Sequence, residues 1–289
     1  MQNLKLMILL LAMCCGLGAA QAQDKDRPSR GIEDLDNSFR IDTGSTFRLR
    51  VEVDVGQVRV SRGKSKDNLR VRLVYDREEY QHTLRYNEKR NTLDIMLDKE
   101  RWIGQHDSHN AGELEVELPT GGELELDFRI KAGEIEMQLG GLRIRDLSLE
   151  TIAGEVNLDF DEPNQITMTN LLLNTKIGES NFRRLGNARF RNAGIDGGIG
   201  ELTIDFSGDV LKDAVAEVDL DIGETAIILP RQSGTRLAVS KFMFLSHFNM
   251  PDYLRKEGRY YYSENYDDAE QTFQLRISAG VGECRIERE

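Results

Sequence analysis

Gly133-Glu-Ile-Glu-Met-Gln-Leu139, Gly154-Glu-Val-Asn-Leu-Asp-Phe160, Gly200-Glu-Leu-Thr-Ile-Asp-Phe206 and Gly223-Glu-Thr-Ala-Ile-Ile-Leu229 are copies of one pattern, a Gly-Glu pair followed by an alternating apolar strand. Related copies begin at Gly112 and Gly178, and successive glycines lie 21, 21, 24, 22 and 23 residues apart. A period in the twenties marks a solenoid, in which no repeat buries its apolar face alone and each must stack on a neighbour. Alternation turns Ile135, Met137 and Leu139 inward, with Val156, Leu158 and Phe160, and with Leu202, Ile204 and Phe206. Glu134, Glu155, Glu179, Glu201 and Glu224 then form one outward column.

Between these strands lie shorter alternating runs: Leu142-Arg-Ile144, Leu147-Ser-Leu149, Ile166-Thr-Met168, Ala188-Arg-Phe190 and Val218-Asp-Leu220. No window of 11 or more holds a 3.6-residue period, which excludes a helical repeat. The pattern predicts an all-β chain, a single-stranded right-handed parallel β-helix of about 22 residues per coil, its coils about 4.8 Å apart. Each repeat glycine sits at a bend, where positive φ or close approach of stacked backbone favours a residue without Cβ.

Outward from the repeats the pattern loosens. Phe47, Leu49, Val51, Val53 and Val55 alternate with charged residues, and further strands follow around Val58, Leu69–Tyr75 and Thr92–Leu97. Residues 46–111 are therefore expected to form a β-rich N-terminal cap over the first coil. After residues 112–230, the segment 231–289 is expected to carry an insertion and then a final coil, since Thr272 to Ile286 restores the repeat with Gly282.

At the amino end, Lys5 precedes the apolar run Leu6 to Cys15 and the small-x-small site Ala20-Gln21-Ala22. This predicts a signal peptide over residues 1–22, followed by a polar tether over 23–45. No later segment is long and apolar enough to span a bilayer, so the mature chain is expected to be soluble, periplasmic or at the cell surface. The formal net charge of −12, with basic residues scattered among acids, repels phosphate backbones and excludes nucleic acid as a partner. With Cys14 and Cys15 in the signal peptide, Cys284 has no internal disulfide partner, and the exported chain must hold together by packing.

Candidate chemistry is sparse. The glutamate column reads as a solvated face, because exposed like charges about 5 Å apart repel by less than ~1 kcal/mol. His106-Asp-Ser-His109 supplies two imidazoles and a carboxylate, but no regular helix sets them on one face, and no metal or other cofactor is expected. Gly194-Ile-Asp-Gly-Gly-Ile-Gly200 lacks the Lys-Ser/Thr and the helix of a phosphate loop. Cys284 occupies an inward repeat position and reads as a small buried hydrophobe.

Large side chains gather in the C-terminal insertion. Phe242, Phe244 and Phe248 are expected to plug the last coil. Tyr260, Tyr261, Tyr262 and Tyr266 either complete that plug or form the candidate partner surface, and because consecutive residues of a strand cannot all face inward, at least one of Tyr260, Tyr261 and Tyr262 is expected to be exposed. An envelope protein or glycan is the expected partner.

The succession Val116-Glu-Leu-Pro119, the Gly-Glu repeats, Leu185-Gly-Asn-Ala-Arg-Phe190, Gly197-Gly-Ile-Gly-Glu-Leu-Thr-Ile-Asp-Phe-Ser-Gly208, Ile228-Leu-Pro230 and Gly280-Val-Gly-Glu resembles bacterial toast-rack β-helix domains. Such domains occur in exported adhesin-type proteins and in the extracytoplasmic part of Lia-type cell-wall stress regulators, from which this chain is expected to differ by a cleavable leader in place of membrane spans. The resemblance implies a non-catalytic, adhesin-like structural or binding module. The competing expectation is a β-helical polysaccharide lyase or glycosidase, which requires acidic and basic groups converging in a groove walled by long loops. The 21 to 24-residue spacing leaves no room for such loops along the central repeats.

Overall fold

A computed structural model describes residues 31–100, 112–241 and 246–289, and residues Ile32–Glu289 form one compact unit. The expected signal peptide, the His106/His109 pair, Phe242 and Phe244 lie outside the described residues. The strands are β1 (Ile32–Arg40), β2 (Phe47–Arg62), β3 (Asn68–Asp76), β4 (Tyr80–Asn87), β5 (Thr92–Lys99), β6 (Gly112–Leu118), β7 (Leu124–Gln138) and β8 (Ile144–Asp159). They continue with β9 (Met168–Arg183), β10 (Phe190–Asp205), β11 (Ala214–Leu229), β12 (Gly234–Lys241), β13 (Ser246–Asn249), β14 (Arg255–Glu257), β15 (Tyr260–Tyr262) and β16 (Thr272–Arg288). The only helical turns among the described residues are two short 3-10 segments, Glu88–Arg90 and Leu185–Ala188.

Strands β7 to β11 stack in parallel and in register, so that Gly133, Gly154, Gly178, Gly200 and Gly223 are direct neighbours. Each long strand bends at its glycine into two arms that close on a common interior. Gly200 shows why no other residue serves at the bend. Its φ is +142°, and a Cβ built there would lie 1.9 Å from the carbonyl oxygen of Gly178. Gly133, Gly154, Gly178, Gly223 and Gly282 repeat both features.

The interior is the predicted one. Ile135, Met137, Leu139, Val156, Leu158, Phe160, Leu202, Ile204 and Phe206 are buried. The short runs Leu142, Leu147, Leu149, Met168, Ala188 and Phe190 join them, and the rings of Phe190, Phe206 and Phe273 meet with centroids 5.0 to 6.4 Å apart. Truncating a fully buried phenylalanine of this kind costs about 3–5 kcal/mol. Buried asparagines hold the connections between strands. Asn164 donates from Nδ2 to the Ile144 and Ile166 carbonyls and accepts from the Ile144 N–H, while Asn187 links the Phe160 carbonyl to the Asp209 N–H. These bonds satisfy backbone groups that a β-ladder cannot reach at the corner.

The spatial order of the rungs departs from the order along the chain at both ends. Strand β2 is not part of a cap: it is a full rung inserted between β7 on one side and β5 with β6 on the other. Gly56 consequently lies between Gly112 and Gly133, which the repeat spacing had made adjacent. At the other end, the last strand β16 lies against β11, with Gly282 beside Gly223, and β12 with β13 forms the rung beyond it. The cap at the amino end consists of β1, β3 and β4. Strands β3 and β4 run antiparallel to β6 and β5, and β1 to β3.

β1 falls within the stretch expected to be a polar tether. Leu35 and Phe39 turn toward the core, while Asp34 and Asp36 face Arg72 and Arg70 in bidentate pairs at 2.6 to 3.2 Å. Only two large apolar residues alternate there, too weak a period to read as a strand without its partner.

Candidate binding surfaces

Tyr260, Tyr261 and Tyr262 lie on the hairpin of β14 and β15, which adds to the stack by pairing antiparallel with β12, and Tyr266 lies in the turn that follows β15. Gly258, at φ +59°, makes the reversal between its two strands, and Tyr260, Tyr261 and Tyr262 form β15. The strand alternation divides them. Tyr261 stands opposite the buried Leu237, packs against the core and carries Lys256 5.4 Å from its ring centre. Tyr260 and Tyr262 stand opposite Ala238 and Arg236, and Tyr262 also meets Tyr266 edge-on with centroids 4.8 Å apart. Tyr260 meets Tyr262 at 6.2 Å, which makes a continuous face of three rings.

All four tyrosines are half-buried: although at least one of Tyr260, Tyr261 and Tyr262 is expected to be exposed, the rings are instead wedged against one another. Two guanidinium groups border the face. Arg236 lies 5.2 Å and Arg259 4.9 Å from the centre of the Tyr260 ring, and Arg259 donates to the Tyr260 hydroxyl at 2.6 Å. Planar rings held by neighbours lose little freedom on contact and offer an apolar body with a polar tip. Phe248, expected to plug the end, is half-buried against the core on β13.

Cys284 on β16 is 3% exposed, and burial pushes its thiol up to about 12, which keeps it protonated and unreactive at neutral pH. Glu134, Glu155, Glu179, Glu201 and Glu224 are exposed, as the alternation requires. Among the described residues no group of three His, Cys, Asp or Glu side chains is placed to hold a metal ion. Along the amino-terminal rungs the outward columns pair in charge, as in Arg48 with Glu125, Arg59 with Glu115 and Glu136, and Arg62 with Glu162. Farther along, among the described residues, no ion pair reaches Glu179, Glu201 or Glu224.

A second surface escaped the sequence reading. Ile177, Ile199, Ile222 and Val281 stand in register just before the glycines of β9, β10, β11 and β16, with exposures of 53, 51, 51 and 38%. Period-two alternation carries Ile177 inward after Leu171, Leu173 and Thr175. The bend at Gly178 instead shifts the phase by one residue, so that Ser180 and Phe182 are the next buried positions and Ile177 and Glu179 both face solvent. The signal was present as a recurring aliphatic-Gly-Glu triplet.

Residues 29–169 match the family model described as the N-terminal domain of toast_rack, DUF2154. These residues belong to the toast-rack family. The toast-rack segment takes in β1 to β8 and the start of β9, so both the tyrosine face and the aliphatic ladder lie beyond it. No curated protein matches the chain.

Among solved structures, the chain is similar to a Clostridium sporogenes ATCC 15579 protein provisionally described as a cell adhesion protein. That pair shows 14% identity, coverage of 89% of this chain and 100% of that one, and a TM-score of 0.47. A protein of Bacteroides fragilis NCTC 9343, provisionally described as an adhesin, shows 11% identity, coverage of 88% and 97%, and a TM-score of 0.41. One of Parabacteroides distasonis ATCC 8503, provisionally described as lipid-binding, shows 10%, coverage of 87% and 96%, and 0.28.

Proposed function

We propose that the chain is an exported, non-catalytic, adhesin-like module of the bacterial cell envelope. It meets an envelope glycan or protein through Tyr260, Tyr262 and Tyr266. The observation that carries this reading is the three-ring face on a hairpin appended to the stack, built where the repeat is interrupted and bordered by Arg236 and Arg259. Aromatic and arginine side chains are the ones enriched where binding energy concentrates. The short connections between β7, β8, β9, β10 and β11 support a scaffold without a walled groove. In this reading the stack winds as a single-stranded right-handed β-helix of about 22 residues per coil, the hand favoured for parallel crossovers. Residues 1–22 serve as its export signal, and the module works in the periplasm or at the cell surface.

The test is Tyr262→Ser, measured both for thermal stability and for retention of the protein on envelope material. Retention is expected to fall at least tenfold while the melting temperature stays within a few degrees. Loss of stability with unchanged retention would reduce the hairpin to an end plug and sink the proposal.

A further inference from the structure

We infer that the ladder of Ile177, Ile199, Ile222 and Val281 is a second docking surface, and that its occupant is a cationic amphipathic helix presented by another protein. Its four half-exposed aliphatic side chains are stacked without interruption. They form an apolar stripe on the order of a few hundred Å², the size of the largest exposed apolar patch on a typical monomer, which is often functional. The glycines beside them leave bare backbone instead of covering side chains, so a partner can sit against the stripe.

Charge selects the occupant. On one side runs the column Glu179, Glu201 and Glu224, without ion-pair partners among the described residues. On the other stand Asp219 and Asp221, with Lys176 beside Ile177 and Lys241 in register with Ala279 on the rung beyond β16. A membrane of anionic lipid is repelled by this frame. A second copy of the chain docked ladder to ladder sets glutamate column near glutamate column, and like charges brought together in a drying interface oppose docking. A partner with lysine or arginine on both flanks of an aliphatic stripe gains on both counts.

Spacing favours a helix over a strand. Four rungs at about 4.8 Å span roughly 14 Å. Three helical turns of about 5.4 Å span roughly 16 Å, whereas three alternate-residue steps of a strand span about 20 Å. A helix lying along the ladder therefore keeps one apolar side chain per rung with a mismatch of about 2 Å over the whole stripe, and about ten residues suffice to cover it. This surface lies apart from the tyrosine hairpin and does not depend on the reading given to that hairpin.

The experiment uses the full chain and a synthetic 14-residue helix of leucine and lysine, with the leucines on one face, followed by fluorescence anisotropy at two salt concentrations. Binding is expected, weakened at least tenfold by Ile199→Ser with Ile222→Ser, and made less salt-dependent by Glu201→Gln with Glu224→Gln. The melting temperature of each variant, expected to stay near that of the parent, separates lost docking from lost folding. Equal binding by the serine variant, or by a leucine and glutamate helix, overturns the inference. So does a ladder-dependent association with anionic vesicles or between copies of the chain.

Discussion

Replacing Gly200 by alanine probes the stacking at its tightest point. The new Cβ would sit 1.9 Å from the Gly178 carbonyl oxygen on a backbone at φ +142°. An L-residue held in that region carries about 1–3 kcal/mol of strain. Relief of the clash must spread β9 from β10, which weakens two or three ladder hydrogen bonds of about 1 kcal/mol each. Together these come to about 3–6 kcal/mol, a large part of the roughly 5–15 kcal/mol that holds a typical protein folded. At about 2–4 °C per kcal/mol for a chain of this size, the melting temperature falls by roughly 6–24 °C. Gly258 supplies the control: at φ +59° a Cβ there meets nothing within 4 Å, and Gly258→Ala should cost only about 1 kcal/mol. Urea unfolding and thermal melting of the two variants side by side decide the matter. Equal losses would refute the claim that glycine is required by the approach of neighbouring rungs.

Leu202→Asp is expected to unfold the chain, because it buries a carboxylate among aliphatics, while Glu201→Gln leaves melting almost unchanged; equal sensitivity at the two positions would remove the inside and outside assignment. Burial, and then the Asp219 carboxylate, raise the pKa of Asp196. A raised folded pKa means that the ionised form costs stability, a cost present above that pKa and relieved as the pH falls and the proton is taken up. Asp196→Asn should therefore raise the melting temperature at pH 7 by an amount that shrinks toward pH 4, and a gain constant across that range would contradict the linkage. Melting curves with and without EDTA should coincide, since a structural ion bound only by the folded state would stabilise it; a drop of several degrees on chelation would reveal one.

Local alternation made much of this chain legible. Val156 in and Glu155 out follow from the pleat alone, and the glycine before each glutamate marks every bend. Neighbour relations were less accessible, because all rungs share one pattern and any could pair with any other. Nothing in the residues around Gly56 shows that it lies between Gly112 and Gly133, or that β16 slips in beside β11 before β12. Those placements are set by long-range pairing. The phase shift at the bend likewise has no period-two signature, so alternation alone does not mark Ile177 and Ile199 as exposed. At the tyrosine hairpin, the division of Tyr260 and Tyr262 from Tyr261 follows from alternation. The approach of Arg236 comes from β12, 24 residues earlier than Tyr260, and needs the fold.

The most direct test of the proposed binding role is site-specific photo-cross-linking. A benzophenone side chain would replace Tyr262 in one protein and the exposed Glu136, on the outward face of β7, in another, each irradiated with bacterial envelope extract and compared by mass. The account predicts a discrete envelope adduct from position 262 and none from position 136. Equal adducts at both positions, or none at 262 in a protein that still melts cooperatively, would contradict it.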